Sequence, residues 1–441
     1  MELLKRFKAF CEKNHLWKTG DRILLAVSGG KDSMLMLRLF HDLKIDIEVV
    51  HCNFGLRGEE SDKDELLVRE YCGNLGIPHH VQRFDTEDYA TTHKLSIQMA
   101  ARELRYAWFE RLAGERNCTA IAVAQHKNDH VETVLLNLVR GTGLQGLRGI
   151  LPKRGNIIRP LLFLESKEIE QAVAQWDIPY RDDASNFSTK YARNKIRLDI
   201  IPQFEQLNAD FIPIMNENIS RFQETYAVLQ NFVHTLRQQL FVVQKQNQWT
   251  IHKADIQDKD TGLLFLLFEP FGFSKSVLED LKDALDSEPG RIFESPSHGL
   301  LLDRDQLILQ EKSNEIDELT IHEGQQKIHW AAHSFELSVS EDRTIVKDRS
   351  TAKLDITKLV FPLTVRAWRE GDYFQPLGMQ GKKKLSDFFI DRKINLFEKK
   401  RIPIWVNGNG DILWISGFQI DERYKITENT QKVLTLVRHK L

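Results

Sequence analysis

The first 140 or so residues switch repeatedly between two hydrophobic periods, and that switching restricts the available folds more than any other feature. Short runs, most of them rich in Val and Ile, stand at Arg22–Val27, Ile45–Cys52, His80–Phe84 and Ala120–His126. Helical patterns alternate with them at Ser33–Leu43, Glu59–Leu75, Thr92–Ala113 and Asp129–Arg140. In the third pattern Ile97, Ala101, Leu104, Trp108 and Leu112 recur at three- or four-residue steps and form one apolar face. Strands and helices of these lengths in alternation specify βαβ units and a Rossmann-like parallel α/β sheet.

The pattern loosens after Gly141. The stretch GTGLQGLRGILPKRG reads as a mobile glycine-rich loop, a helix follows near Ser166–Trp176, and then comes the polar segment RDDASNFSTKYARNKIR. Residues Asp210–Gln246 suit one long helix or two shorter ones, and Leu263–Phe268 and Ser276–Leu285 suit further helices, so the middle region is predicted to be mostly helical. Beyond Leu319 the content of Thr, Val, Ile and Trp rises and turn sequences such as NGNGD appear, which predicts a small β-rich C-terminal domain. A chain of 441 residues exceeds one ordinary core. The expected division is 1–205, 206–315 and 316–441.

The net charge is −2, so any nucleic-acid contact must come from local basic patches rather than global charge. No apolar run approaches the roughly 18–20 residues of a membrane span, and the amphipathic N-terminus lacks a signal-peptide core, so a cytoplasmic location without membrane contact is expected. The four cysteines, Cys11, Cys52, Cys72 and Cys118, contain no CxxC pair, which argues against a zinc or iron–sulfur site and against a disulfide framework. Cys52 and Cys118 read as buried thiols.

The first strand ends in Ser28-Gly29-Gly30-Lys31-Asp32-Ser33 and a helix follows at once. A Walker A loop would need a glycine five positions before Gly30, where Leu25 stands, and Ser or Thr after Lys31, where Asp32 stands. The dinucleotide fingerprint also fails, because the two glycines are adjacent. Strand, glycine turn and helix N-terminus nonetheless make an anion site: backbone N–H groups point outward, glycines permit close approach, and Ser28 and Ser33 add hydroxyls. An aspartate there repels phosphate unless a cation bridges the two, so Asp32 implies Mg²⁺. The bland alternative is a glycine turn whose aspartate only caps a helix.

SGGKDS is similar to the SGGxDS loop of the PP-loop ATP pyrophosphatases, which adenylate a carbonyl-type oxygen and release pyrophosphate. Two further strand ends, HCNFGLRGEES (51–61) and AQHKNDHVETVLLNLVRGTGLQGL (124–147), narrow the resemblance. With QMAARELRYAWF (98–109), DASNFSTKYARNKIR (183–197) and VRAWREGDYFQPLGMQGKKKLSDFFIDRKI (365–394), the chain resembles the tRNA(Ile)-lysidine synthetase family. The resemblance implies adenylation of the wobble cytidine in a CAU anticodon, then displacement of AMP by the ε-amine of L-lysine. It also implies a possible homodimer. Ser28, Gly29, Gly30, Lys31, Asp32, Ser33, His51 and Asn53 are assigned to ATP, with Lys31 at the variable position of the motif. Asp32 and Asp129 are assigned to metal, and Asp32, Asp129, Glu132 and Arg105 to catalysis. Asp129 and Glu132, three apart on one helix, are candidates for holding and deprotonating the lysine ammonium, against the alternative of an ordinary acidic first turn. Two positions depart from the pattern: Phe54 replaces a histidine and Asn128 replaces the first aspartate of a D-D pair.

Basic residues supply the remaining candidates. Arg102 and Arg105 project from one side of the 98–109 helix, toward phosphate, lysine carboxylate or tRNA, or merely toward solvent. Arg193, Asn194 and Arg197 belong to a locally basic segment, with Arg181, Lys190 and Lys195, assigned to tRNA or substrate. Residues 361–405 hold ten lysines and arginines against five acids, among them Arg366, Arg369, Lys382, Lys383 and Lys384, a candidate phosphate-contacting patch. Trp368, Phe374 and Trp405 read as core, with base stacking as the alternative. Competing functions are a tRNA thiolation enzyme, which the missing CxxC disfavours, an amidating synthetase, which needs an ammonia-supplying domain, and a nucleotide- or tRNA-binding module without catalysis.

Overall fold

The computed structural model describes residues 2–182, 192–245, 247–312 and 316–440. The chain forms two compact units, Met1–Gln230 and Asn231–Leu441.

In the first unit, α1 (Glu2–Lys13) precedes β1 (Arg22–Ala26), α2 (Lys31–Asp42), β2 (Asp46–Asn53), α3 (Glu59–Leu75) and β3 (His79–Arg83). Then come α4 (Thr86–Thr92), α5 (Ile97–Glu115), β4 (Ala120–Val123), α6 (Lys127–Arg140), α7 (Leu144–Leu147), β5 (Lys153–Arg154), β6 (Ile157–Ile158) and α8 (Ser166–Gln175). The sheet order is β3-β2-β1-β4-β6-β5, parallel except for the β5–β6 pair. Side chains of β1 alternate between two cores, as the period of a strand requires. Ile23 and Leu25 pack with Met34, Leu37, Phe40 and Ile169, whereas Leu24 packs with Val50, Trp108, Phe109 and Ile121. Helices therefore cover both faces, the predicted Rossmann-like arrangement.

Three local expectations need correction. The single helix over Thr92–Ala113 is two helices, because Lys94 takes a left-handed φ of 55° and Ser96 starts α5 by accepting the Met99 N–H. Residues 141–155 do not form one open loop: they contain α7, and β5 and β6 extend the sheet. Gly149 lies so close to α6 that a Cβ there would sit 2.1 Å from His130. Cys11 and Cys72 are the fully buried cysteines, whereas Cys52 and Cys118 are half-buried, and burial pushes the Cys52 thiol up to about 12.

The middle region is mostly helical, with the long helix Phe211–Leu240 and the shorter Thr261–Phe268 and Lys275–Ala284. It also holds a five-stranded antiparallel sheet over Val242–Lys245, Gln248–His252, Gln306–Glu311, His298–Asp303 and Ile292–Glu294, which the sequence pattern did not announce. The C-terminal region is β-rich as expected, with five- and four-stranded antiparallel sheets sharing a core of Phe335, Trp405, Trp414 and Leu436. Among the described residues no single helix is long and apolar enough to cross a membrane.

Candidate functional site

The order of the parallel strands reverses between β1 and β4, and the crevice at their C-terminal ends is where open α/β sheets bind ligands. Two turns border it: Ser28–Gly30 after β1 and His126 after β4. Gly29 takes a φ of +91°, which L side chains rarely adopt, so glycine is needed at this bend. Gly30 caps α2 with no side-chain hydrogen bond, leaving the first-turn N–H groups of α2 open to an anion. The serines stitch the turn together: the Ser28 N–H donates to Ser33 Oγ at 3.1 Å, and Ser33 Oγ donates to the Gly30 carbonyl at 2.9 Å. Lys31 points elsewhere, into an ion pair with Glu170 on α8.

Asp32 faces the second turn. His126 Nε2 lies 3.8 Å from Asp32 Oδ2 and 3.5 Å from Asp129 Oδ2. Asp32 Oδ1 is buried with no hydrogen-bond partner. Burial raises the pKa of this carboxyl, and Asp129 adds to the rise against the opposing pull of His126. Asp129 behaves oppositely. Burial alone would raise it, but His126, Arg193 and Arg197 outweigh burial and hold it below the usual carboxylate range.

Both oxygens of Asp129 are occupied. Oδ2 accepts the His126 N–H at 3.0 Å, which closes a capping box at the start of α6, and Oδ1 accepts from Arg193 at 2.9 Å and Arg197 at 3.2 Å. Glu132 is fully buried and takes Arg193 Nε on Oε2 at 2.7 Å and Arg197 Nε on Oε1 at 2.5 Å. The structure thus gathers Asp32, Asp129, Glu132, Arg193 and Arg197 into one cluster. Asn194 lies on the same short helix, Ala192–Lys195. Asp183 and Lys190 lie outside the described residues.

The departures from the family pattern have physical explanations. Asn128 Oδ1 accepts the Ser166 N–H at 3.0 Å, tying α6 to the start of α8, a task a neutral amide performs without adding charge beside Asp129. Phe54 stacks on Phe84 with ring centroids 5.5 Å apart, and the Arg105 guanidinium sits 5.2 Å from the Phe54 ring centre. Arg102 covers Tyr106 on α5. His51 and Asn53 are buried: His51 Nδ1 meets the Val27 carbonyl at 2.8 Å, and Asn53 donates to Asp62 and Glu65 while accepting the Gly55 N–H.

In the second unit the basic residues of 361–405 divide into paired and open groups. Arg366 is buried in a two-point fork with Asp372, Arg369 pairs with Glu318, and Lys383 pairs with Asp391. Lys382, Lys384, Lys393, Lys400 and Arg401 are exposed. Phe374 and Trp405 are fully buried in core clusters, which removes them as base-stacking surfaces.

The cluster around Asp32 fits a single magnesium ion held jointly with phosphates. Mg²⁺ takes one or two carboxylates with phosphate oxygens and water, and the orphaned Asp32 Oδ1 offers such a position. Among the described residues no group of three or more His, Cys, Asp or Glu side chains forms a metal site.

A parallel sheet whose first strand runs through SGGKDS into a helix, with an uncapped anion turn beside a half-buried aspartate whose Oδ1 is buried, defines a PP-loop ATP-using enzyme. Family models agree along the chain: the PP-loop domain matches residues 1–204, the TilS substrate binding domain 244–312 and the TilS substrate C-terminal domain 363–437. The tRNA(Ile)-lysidine synthase of Parabacteroides distasonis is 39% identical over 98% of this chain and 99% of its own length. That of Bacteroides thetaiotaomicron is 36% identical over 98% of each chain. A solved U34-tRNA thiolase, NcsA from Methanococcus maripaludis, aligns with 50% of this chain and 78% of its own at 20% identity, with a TM-score of 0.42. The chain belongs to the tRNA(Ile)-lysidine synthase family.

Proposed function

We propose that the chain uses ATP to join L-lysine to the wobble cytidine of a tRNA(Ile) bearing a CAU anticodon. The cytidine 2-oxo oxygen attacks the α-phosphorus of ATP and pyrophosphate leaves. The ε-amine of lysine then attacks C2, and the oxygen departs with AMP, giving lysidine. The turn Ser28–Ser33 and the start of α2 receive the ATP phosphates. Asp32 is the carboxylate that holds Mg²⁺, which when bound neutralises charge on the departing pyrophosphate. Asp129 contributes less as a metal ligand, because both its oxygens already accept hydrogen bonds.

Asp129 and Glu132 with Arg193 and Arg197 offer two carboxylates and two guanidiniums, complementary to a zwitterionic amino acid carrying an extra ammonium. When lysine enters, its α-carboxylate draws Arg193 and Arg197 off the acids, and the carboxylates so freed receive the ε-ammonium and take its proton before attack. Arg105, held over Phe54, faces the nucleotide being adenylated. The exposed lysines of 382–401 contact tRNA phosphates. The proposed domain division is 1–205 for adenylation, 206–315 for the middle domain and 316–441 for tRNA binding. The reading extends to a cytoplasmic homodimer, which sedimentation of the purified chain tests.

The observation that carries this reading is the juxtaposition, across His126, of a phosphate-accepting turn and an acid–arginine cluster. Labelled lysine incorporation tests it. Label should enter tRNA(Ile) with a CAU anticodon and depend on ATP, and a changed wobble base should abolish it. Equal labelling of both tRNAs, or none of either, overturns the reading.

A further inference from the structure

Beyond the groups facing the crevice, a second ion-pair cluster lies behind the loop. The residues are Arg57, Glu60, Asp64 and Arg181. Arg181 Nε donates to Asp64 Oδ1 at 2.8 Å, Arg57 Nη2 donates to Asp64 Oδ2 at 2.8 Å, and Arg181 also reaches Glu60. Asp64 is buried in the body of α3. The Arg181 backbone N–H donates to the Gly29 carbonyl at 3.0 Å. A Cβ on Gly29 would lie 3.5 Å from the Asp64 Cβ, so α3 sits in direct contact with the back of the loop.

We propose that Asp64 and Arg181 are positioning residues, a clasp that presets the Gly29–Gly30 peptide for ATP without touching the nucleotide. The inference rests on the loop being the ATP-phosphate site. In a trans peptide the carbonyl of one residue and the N–H of the next point in opposite directions. Fixing the Gly29 carbonyl toward Arg181 therefore turns the Gly30 N–H to the other side. There its contact with Ser28 Oγ is long, 3.4 Å, so it is available to a phosphate oxygen. Two carboxylates hold the Arg181 side chain, and through it the backbone that holds Gly29. A donor fixed before the ligand arrives stabilises developing charge without reorganisation. Of the clasp residues, Arg57 lies in a family motif, whereas Asp64 lies inside a helix and carries no motif signal.

The test is steady-state kinetics of tRNA-dependent ATP–pyrophosphate exchange and of lysine incorporation by the full chain. Asp64→Asn and Arg181→Gln should each raise KM for ATP about tenfold, the worth of one charge-assisted hydrogen bond. KM for lysine should stay unchanged. The double variant should be no worse than the poorer single variant, because both remove one device. Glu60→Gln, at an exposed position, loosens the same clasp without disturbing the core and should raise KM for ATP about threefold. An unchanged KM for ATP in folded variants, a parallel rise in KM for lysine, or additive losses in the double variant overturns the clasp. Asp32→Ala run alongside separates the two ideas. Exchange that survives it removes the loop reading itself; exchange lost there but normal in the clasp variants removes only the clasp.

Discussion

Arg193 Nε donates to Glu132 Oε2 at 2.7 Å, so a residue of the polar segment 181–197 closes over a buried acid on α6. Arg197 covers the other oxygen of the same carboxylate, and burial there is opposed by ion pairing with Glu132 so that the Arg197 guanidinium is held more firmly protonated than usual. The acid–arginine cluster is a structural tie as well as a proposed substrate pocket.

The first prediction follows from that tie. Arg197→Ala leaves Glu132, which is 0% exposed, with one arginine instead of two. Losing a charge-assisted bond to a buried carboxylate costs about 2 kcal/mol. Urea unfolding of the variant should show the loss as a lower midpoint with an unchanged slope. Glu132→Gln should cost at least as much, because the amide NH2 is a donor that cannot accept from the arginine it faces and both guanidiniums lose their counter-charge, and lysine incorporation should fall for both. Equal stability of Arg197→Ala and the parent chain would exclude the structural half of this account.

Asp32 sets up a conflict between stability and activity. Burial raises its pKa, so the ionised form is disfavoured by folding, and the stability tied to its protonated form is present at low pH and lost as pH rises through the folded value. Near neutral pH the ionised carboxylate is a cost that a bound cation offsets. Asp32→Asn should therefore raise the melting temperature of the metal-free chain by about 2–4 °C while abolishing pyrophosphate exchange. A drop in melting temperature would show that Asp32 is held by partners other than the ones described.

The same shift predicts the acid limb of the pH profile. Asp32 must be ionised to hold a cation, and its pKa is raised, whereas Asp129 is lowered and stays ionised through the same range. Exchange activity should fall on acidification at a pH above the ordinary carboxylate value. Because proton and metal compete for one carboxylate, raising Mg²⁺ should move that limb to lower pH. A limb that ignores Mg²⁺ would assign it to another group.

The sequence revealed what is local and periodic. β1 through α3, the turn at Gly29 and the α6 start were readable because each depends on neighbours within a few residues. α3 at Glu59–Leu75 was bounded correctly, since its ends carry an acidic first turn and Gly76 in a left-handed C-cap. What stayed hidden depends on pairing across long separations. No periodicity shows that Arg193 and Arg197 close on Glu132, that Asn128 ties to Ser166, or that Arg181 bonds behind Gly29. The five-stranded sheet of the middle region was hidden for a related reason: its strands are short and joined to helices whose stronger pattern dominates the stretch.

The last prediction concerns the basic patch, whose exposed members Lys382 and Lys384 stand apart from those held in ion pairs. Lys383 is already neutralised by Asp391 and Arg366 by Asp372, so neither is free to release counterions from a nucleic acid. Lys382 and Lys384 are exposed. Lys382→Gln and Lys384→Gln should each reduce the slope of log affinity for tRNA against log salt by about 1, whereas Lys383→Gln should change it little. ATP affinity should not move, since the proposed ATP site is built from Ser28–Ser33 and the residues around them and includes neither lysine. Filter binding across a salt series measures the slopes directly. Equal effects of all three substitutions would mean that the Asp391 pair opens on tRNA binding and that the patch acts as a whole.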